Sequence, residues 1–151
     1  MFNLKLKTMK QFFLLLAVMF SFTGCQSQGK TIIEANQLPK EAQTLIKTHF
    51  SDLTIQTIFQ EKDFMSKEYE VIFTDGTNID FDKKGKWEQI EKKNGVPQGI
   101  ILPSINTYIK TKHPEAFVVK IDKEKKGYDV ELNNKIEIKF GSKGEFLRYD
   151  D

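Results

Sequence analysis

The chain of 151 residues carries 23 Lys and Arg, 21 Asp and Glu, and one cysteine. Its first 24 residues hold three of the lysines and no acid, so residues 25–151 have a net charge of −1 (20 basic and 21 acidic residues). This balance, without a basic cluster interleaved with aromatic residues, excludes nucleic acid as an expected partner. A single cysteine excludes an internal disulfide, so stability must come from the core of one domain or of two small repeats.

The N-terminal segment has the pattern of an export signal. Lysines precede an apolar run over residues 12–22, which is too short to cross a bilayer as a mature helix. The run ends in Thr23-Gly24-Cys25, which resembles a bacterial lipobox. We therefore predict a lipoprotein signal peptide over residues 1–24 and lipidation of Cys25. The alternative is a secreted protein whose cysteine lies near the cleavage site by chance.

Residues 25–37 are predicted to form a tether between the lipid and the folded part. Residues 26–30 within it are polar and include no acidic residue. By analogy with the acidic export signals of some surface lipoproteins, this favours an outer-membrane protein that faces the periplasm.

The second half of the chain repeats the first. Leu38-Pro39 is echoed by Leu102-Pro103, and Tyr69-Glu70-Val71 is echoed by Tyr128-Asp129-Val130 at a slightly shorter spacing. Self-similarity of this kind indicates one supersecondary unit used twice. We predict repeat one over residues 38–93, a linker over 94–101 and repeat two over 102–151, together forming one domain.

Each repeat begins with a helix and continues with strands. Apolar residues from Leu38 onward follow helical spacing, with Pro39 in the first turn and Asn36 as the cap. The second helix is expected to stop before Pro114. The rest alternates with period two, which predicts an α+β fold: a tandem repeat of a helix plus about four antiparallel strands, with the helices packed on one face of the sheet. The predicted core-facing residues are Tyr69, Val71, Phe73, Ile79, Phe81 and Trp87, with Tyr128, Val130, Leu132, Ile138, Phe140 and Phe146.

This pattern resembles the PepSY-like family, also described as similar to β-lactamase-inhibitor proteins. The resemblance rests on Leu38-Pro39 before a helix, on the run from Tyr69 to Gly76, and on Ile79-Asp80-Phe81-Asp82 through Gly85-Lys86-Trp87. It implies a tandem repeat with helices on one face of an antiparallel sheet, in proteins that are exported, often as lipoproteins. The family name points to inhibition of an enzyme, although fold analogy alone does not assign that function.

Candidate metal and catalytic residues are few. His49 and His113 follow the two Leu-Pro pairs at the same distance and so are expected at equivalent positions, but two imidazoles at helix ends make a poor zinc site. Asp75, Asp80 and Asp82 crowd one hairpin, yet calcium requires about six oxygen ligands. The chain contains no GxSxG, Walker or GxGxxG motif, so we predict neither an enzyme nor a bound metal or cofactor.

We therefore expect a non-enzymatic, periplasm-facing lipoprotein that binds a protein or peptide partner of the cell envelope. One version of this hypothesis is an inhibitor of an exported enzyme. The alternative is a module that senses a small ligand or envelope stress. The binding surface is predicted on the free face of the sheet, where apolar residues stand among carboxylates. The residues predicted for it are Ile58, Glu70, Ile72, Asp80, Asp82 and Ile90, and the same phase places Val118 on this face in repeat two. Two further possibilities stay open: the linker covers the isoleucines, or the strand phase is reversed.

Overall fold

The computed structural model describes residues 29–62 and 66–150. Two helices and nine strands form an α+β fold, and the strands make a single sheet in which the spatial order equals the order along the chain. All neighbouring strands are antiparallel. The predicted fold class is therefore confirmed.

The elements fall into two equivalent sets. The first set is α1 (Lys40–His49), β2 (Ile55–Lys62), β3 (Lys67–Phe73), β4 (Asn78–Phe81) and β5 (Trp87–Glu91). The second set is α2 (Pro103–Lys112), β6 (Val118–Glu124), β7 (Gly127–Leu132), β8 (Glu137–Gly141) and β9 (Phe146–Asp150). The ninth strand, β1 (Gly29–Ile32), pairs with β2 at the edge of the sheet and begins inside the stretch expected to be a tether.

The two helices correspond in a different register from the one that the Leu-Pro pairs suggest. The amide side chain of Gln43 donates to the carbonyl oxygen of Leu38 at 2.7 Å, and that of Asn106 donates to Ile101 at 3.3 Å. Leu38 is therefore the counterpart of Ile101 rather than of Leu102. In this register His113 corresponds to Phe50, so the two histidines are not equivalent.

The residue before α1 also differs from the prediction. Asn36 does not cap the helix, because it lies in a short 3-10 helix (Ala35–Gln37). Pro39 is the residue that precedes α1, and it offers no side chain that could accept a hydrogen bond.

The core lies between the sheet and the two helices. One row of apolar residues crosses eight strands in register, and the buried residues of both helices, Ala42, Ile105 and Ile109, join the same core. Both helices therefore lie on one face. The row consists of Ile58, Val71, Ile79, Ile90, Ile121, Val130, Ile138 and, at the open edge, Tyr149.

Four strands carry a β-bulge at equivalent places, which keeps this row continuous. In β2 the bulge lets Ile55 and Ile58 both face the core although they are three positions apart. The same spacing joins Trp87 to Ile90 in β5, and Val118 to Ile121 and Phe146 to Tyr149 in repeat two. A bulge places one extra residue on one strand and so reverses the alternation beyond it.

Candidate functional site on the free face of the sheet

The face of the sheet opposite the helices is built from polar and charged side chains. One register row next to the apolar row runs straight across it. Side chains directly opposite each other in neighbouring strands lie close enough to interact. The row is Phe59, Glu70, Asp80, Gln89, Asp122, Asp129, Lys139 and Arg148.

In repeat one this face is acidic. A shallow cavity of about 480 Å³ lies over it, and Lys30 from β1 reaches its acidic side chains from the edge, with Nζ 2.6 Å from Glu70. Asp122 also lines this cavity and pairs with Lys120 at 3.2 Å, and Lys123 is a second lysine in the lining. Further carboxylates around this half form no ion pair within residues 29–62 and 66–150. They are Glu61, Glu68, Asp80, Asp82 and Glu88.

Asp80 lies at the centre of this acidic half, between Glu70 on β3 and Gln89 on β5. Burial, and next the negative charge of Glu70, raise the pKa of the Asp80 carboxyl to about 6, while Lys30 lowers it. Burial also raises the pKa of Glu88, helped by Glu68 and Asp82. The site therefore holds negative charge that is poorly solvated and poorly compensated, which is a setting that favours binding of a cation.

In repeat two the same face is compensated internally. The ammonium of Lys139 lies 2.7 Å from Asp129 and 3.0 Å from Asp150, and that of Lys120 lies 3.2 Å from Asp122. The contacts of Lys139 join neighbouring strands, and the contact of Lys120 with Asp122 lies within β6. The two halves of the face thus have similar shape but different electrostatics, and the unbalanced charge belongs to repeat one.

Two of the predicted binding residues are not on this face. Ile58 and Ile90 are 3% and 0% exposed and face the core, and so does Val118. The bulges in β2, β5 and β6 are the reason, because each reverses the phase that simple alternation gives. The predicted apolar cluster of three isoleucines therefore does not exist, and the strand phase is reversed at these positions.

The other four predicted residues do not form one cluster. Glu70 and Asp80 are direct neighbours in the acidic row. Ile72 is half-buried two register rows away, opposite Thr57 and Asn78. Asp82 lies at the β4–β5 turn, where its Oδ1 accepts hydrogen bonds from the backbone N–H groups of Lys84 and Lys86.

Glu61, Glu68 and Asp122 also belong to this site, and the sequence pattern alone does not predict them. Their clustering depends on the register of β2 to β6 and on two bulges, neither of which a single strand's pattern reveals. The sequence does contain a signal of the bulges, because large apolar residues three positions apart recur at equivalent places of both repeats.

The described residues do not fit a metal site. Between residues 29–62 and 66–150, no three His, Cys, Asp or Glu side chains converge as a metal ion would require. Asp75 is occupied by its own turn, accepting from the backbone N–H of Thr77 at 2.9 Å and pairing with Lys92 at 3.1 Å. His113 Nε2 lies 3.0 Å from the hydroxyl of Tyr149.

None of the helices in the described part of the chain is long and apolar enough to span a membrane. The predicted signal peptide and the predicted lipidation site, Cys25, lie outside the described residues.

Residues 67–148 match the family described as "Putative beta-lactamase-inhibitor-like, PepSY-like". The chain belongs to the PepSY-like family. This confirms the resemblance seen in the sequence, and the matched stretch runs from β3 to β9 and includes most of the acidic row. No curated protein matches the chain.

Solved structures of three Bacteroides proteins are similar to this PepSY-like chain. A "putative calcium-regulated periplasmic protein" of Bacteroides thetaiotaomicron is 43% identical, with a TM-score of 0.78 over 81% of this chain and 97% of that one. Two putative periplasmic proteins of Bacteroides vulgatus are 39% and 36% identical, with TM-scores of 0.78 and 0.76. They cover 83% and 82% of this chain and 99% and 100% of their own, and the second is described as of unknown function. No enzyme family is indicated.

Proposed function

We propose that this protein is a non-enzymatic lipoprotein that binds a protein or peptide of the cell envelope through the free face of its sheet, and that the bound segment is positively charged. The observation that carries the proposal is the acidic half of that face, where Asp80 is partly buried among Glu70, Glu88 and Asp122 without a cation of its own. A lysine or arginine of a partner would remove this unfavourable charge.

Charge complementarity of this kind contributes mainly to the rate and specificity of association. The acidic half is concave, and Phe59 borders it, with the ammonium of Lys30 lying 4.5 Å from the centre of its ring. A basic segment that also carries an apolar residue would match both features. The compensated half in repeat two offers no comparable driving force, so we place the contact in repeat one.

Anchoring by Cys25 would hold this face close to the membrane. The lipobox-like Thr23-Gly24-Cys25 supports this part of the proposal, and the periplasmic description of the three relatives supports an orientation toward the periplasm. We place the protein at the outer membrane. Inhibition of an exported enzyme is one form that partner binding could take, and it requires the partner to be that enzyme.

Calcium is not part of the proposal. One relative is described as calcium-regulated, but the three aspartates of the β3–β5 region do not converge on a common point in this chain. Asp75 and Asp82 each bind backbone N–H groups of their own turn. The described residues therefore do not fit a resident calcium ion.

The experiment measures binding of a defined cationic peptide by fluorescence anisotropy, at pH 7.5 and low salt. The probe is a short peptide of alternating lysine and leucine, and the reference is the same peptide with glutamate in place of lysine. We expect the basic probe alone to bind, and its affinity to fall as salt is added. We expect the double variant Glu70→Gln with Asp80→Asn to bind it about tenfold more weakly.

The matched control is Asp129→Asn with Glu137→Gln, which removes two carboxylates from the same face in repeat two. This control should leave the affinity within about twofold, because those groups lie in the compensated half. Equal weakening by both double variants would show that only net charge matters. Absence of binding by the wild-type protein would refute the proposed surface.

Sensing of a small ligand is the second candidate function. A separate cavity on the helix side of the sheet, beside Trp87, favours it.

A further inference from the structure

A second cavity lies on the opposite side of the sheet from the acidic face. It has a volume of about 640 Å³ and opens between α1, the β4–β5 turn and the start of β5. This size falls in the range of small-molecule sites, about 300–1,000 Å³. Its lining includes Leu45, His49 and Trp87, with the charged residues Lys40, Lys86 and Lys123.

The internal repeat explains why this space is open. In repeat two, the ring of Tyr108 on α2 stacks on Phe146, with centroids 4.8 Å apart and planes inclined by 7°. The correspondence of the two helices places Leu45 where Tyr108 stands, and that of the strands places Trp87 where Phe146 stands. In repeat two the ring of Tyr108 fills the space beside Phe146, whereas Leu45 has no ring to fill the space beside Trp87. The cavity therefore lies where repeat two has an aromatic ring.

Trp87 is only half-buried, and one aromatic ring and one cation lie beside it. The ring of Tyr128 lies 6.3 Å away, and the ammonium of Lys123 lies 4.1 Å from the indole centroid. That ammonium also donates to the carbonyl oxygen of Trp87 at 3.3 Å. An aromatic ring entering the cavity would therefore meet an indole face and a cation together.

The charge of this cavity is positive. Lys40, Lys86 and Lys123 line it, and Glu41 is the acidic residue among its lining residues. Burial, and next the positive charge of Lys86, lower the pKa of Lys123. Repeat two differs here as well, because Glu145 stands in place of Lys86 and no strand of the described chain follows β9 to supply a counterpart of Lys123. An anion is thus favoured in repeat one alone.

We propose that the cavity beside Trp87 binds a small aromatic acid, whose ring stacks on the indole in the space that Tyr108 fills in repeat two and whose carboxylate pairs with Lys123 and Lys86. The geometry of stacked rings and the cationic rim together define this ligand class. Lys123 also lines the acidic cavity, but Leu45 and Trp87 do not, so the variant Leu45→Tyr tests this site separately from the proposed partner surface.

The test is isothermal titration calorimetry of the full-length protein with three probes of similar size. The first probe, 4-hydroxyphenylacetate, has the ring of tyrosine and a carboxylate. Tyramine has the same ring with an ammonium, and cyclohexylacetate has the same charge without aromaticity. We expect the first to bind with a Kd of about 1 mM, a typical value for a ligand of this size, and each of the others at least about fivefold more weakly.

Two variants locate the binding. Leu45→Tyr copies repeat two and should fill the cavity, abolishing binding while the melting temperature stays within about 2 °C. Lys123→Met keeps most of the length of the side chain without its charge and should weaken binding of 4-hydroxyphenylacetate at least about fivefold. Undiminished binding to both variants, tighter binding of tyramine, or no binding of the first probe below about 10 mM would each overturn the proposal.

Discussion

Lys135 occupies in repeat two the position that Gly76 occupies in repeat one. The backbone N–H of Gly76 donates to Phe73 at 3.0 Å, and that of Lys135 donates to Leu132 at 2.9 Å. Both residues have positive φ, 84° for the glycine and 70° for the lysine. Only the lysine carries a Cβ, which makes this conformation unfavourable.

Replacing Lys135 by glycine should therefore stabilise the protein. We expect Lys135→Gly to raise the melting temperature by roughly 2–5 °C, because it removes the steric conflict at the turn. Lys135→Ala is the matched control, since it also loses the ion pair with Glu131 but keeps the Cβ. A rise with alanine equal to the rise with glycine would show that backbone conformation is not the cause.

Gly85 should tolerate no side chain. It has a φ of +84°, and a Cβ added there would lie 2.7 Å from the Cβ of Pro39 and 2.8 Å from the backbone nitrogen of Ala42. We expect Gly85→Ala to lower the free energy of unfolding by about 2–5 kcal/mol, measured by chemical denaturation. Gly29→Ala, with no atom within 4 Å of the added Cβ, should change it by less than about 0.5 kcal/mol.

Phe81 and Phe140 occupy equivalent positions in the two repeats and are 0% and 1% exposed. Each change to alanine should cost about 3–5 kcal/mol of unfolding free energy, the usual range for a buried phenylalanine. Phe117→Ala is the control, because Phe117 is 44% exposed and should cost less than about 1 kcal/mol. Losses below about 1 kcal/mol at both buried sites would mean that this row does not carry the core.

The placement of these phenylalanines was predictable, and that of Ile58 and Ile90 was not. In β3, β4, β7 and β8 the alternation of apolar and polar residues is unbroken, so Tyr69, Phe81 and their counterparts were assigned to the core face correctly. Of the twelve residues predicted to face the core, Trp87 and Tyr128 are half-buried and Phe146 is 39% exposed.

The first and last strands of each repeat contain bulges, and there strict alternation fails. Strict alternation places Ile58 on the same face as Gln56, and Ile90 on the same face as Glu88. Each bulge reverses the alternation, so this rule predicts a core residue on the outer face. The short edge strand β1 also escaped prediction, because its four residues are all exposed and show no alternation. The acidic row follows only once the register of several strands is known, since its members come from distant parts of the chain.

Cys25 stays a prediction that experiment can decide. Metabolic labelling with palmitate should mark the wild-type protein and not Cys25→Ala, and the variant should leave the membrane fraction. The segment 26–30 lacks acidic residues, so protease added to intact cells should spare the protein. An unlabelled wild-type protein would exclude lipidation, whereas rapid digestion on intact cells would place it at the cell surface.

Asp80 should make stability depend on pH in a direction opposite to that of most carboxylates. Its pKa is raised from 3.8 to about 6 in the folded protein, so between these values the folded state binds more protons than the unfolded state. The free energy of unfolding contributed by this group therefore falls as pH rises through that window and stays low above it.

Asp80→Asn should accordingly stabilise the protein at pH 7.5, and this gain should vanish below about pH 4. The full shift would correspond to about 3 kcal/mol, and solvent screening reduces the expected gain to about 1–2 kcal/mol. Asp129→Asn is the matched control, because it removes a carboxylate paired with Lys139 at 2.7 Å and should give no gain. Chemical denaturation of both variants across about pH 3–8 makes the comparison. A gain at pH 7.5 in the Asp129 variant, or none in the Asp80 variant, would contradict the assignment of unbalanced charge to repeat one. A gain in unfolding free energy in the Asp80 variant alone would mean that the Asp80 carboxylate lowers the stability of the free protein while providing a charge that a basic partner can neutralise.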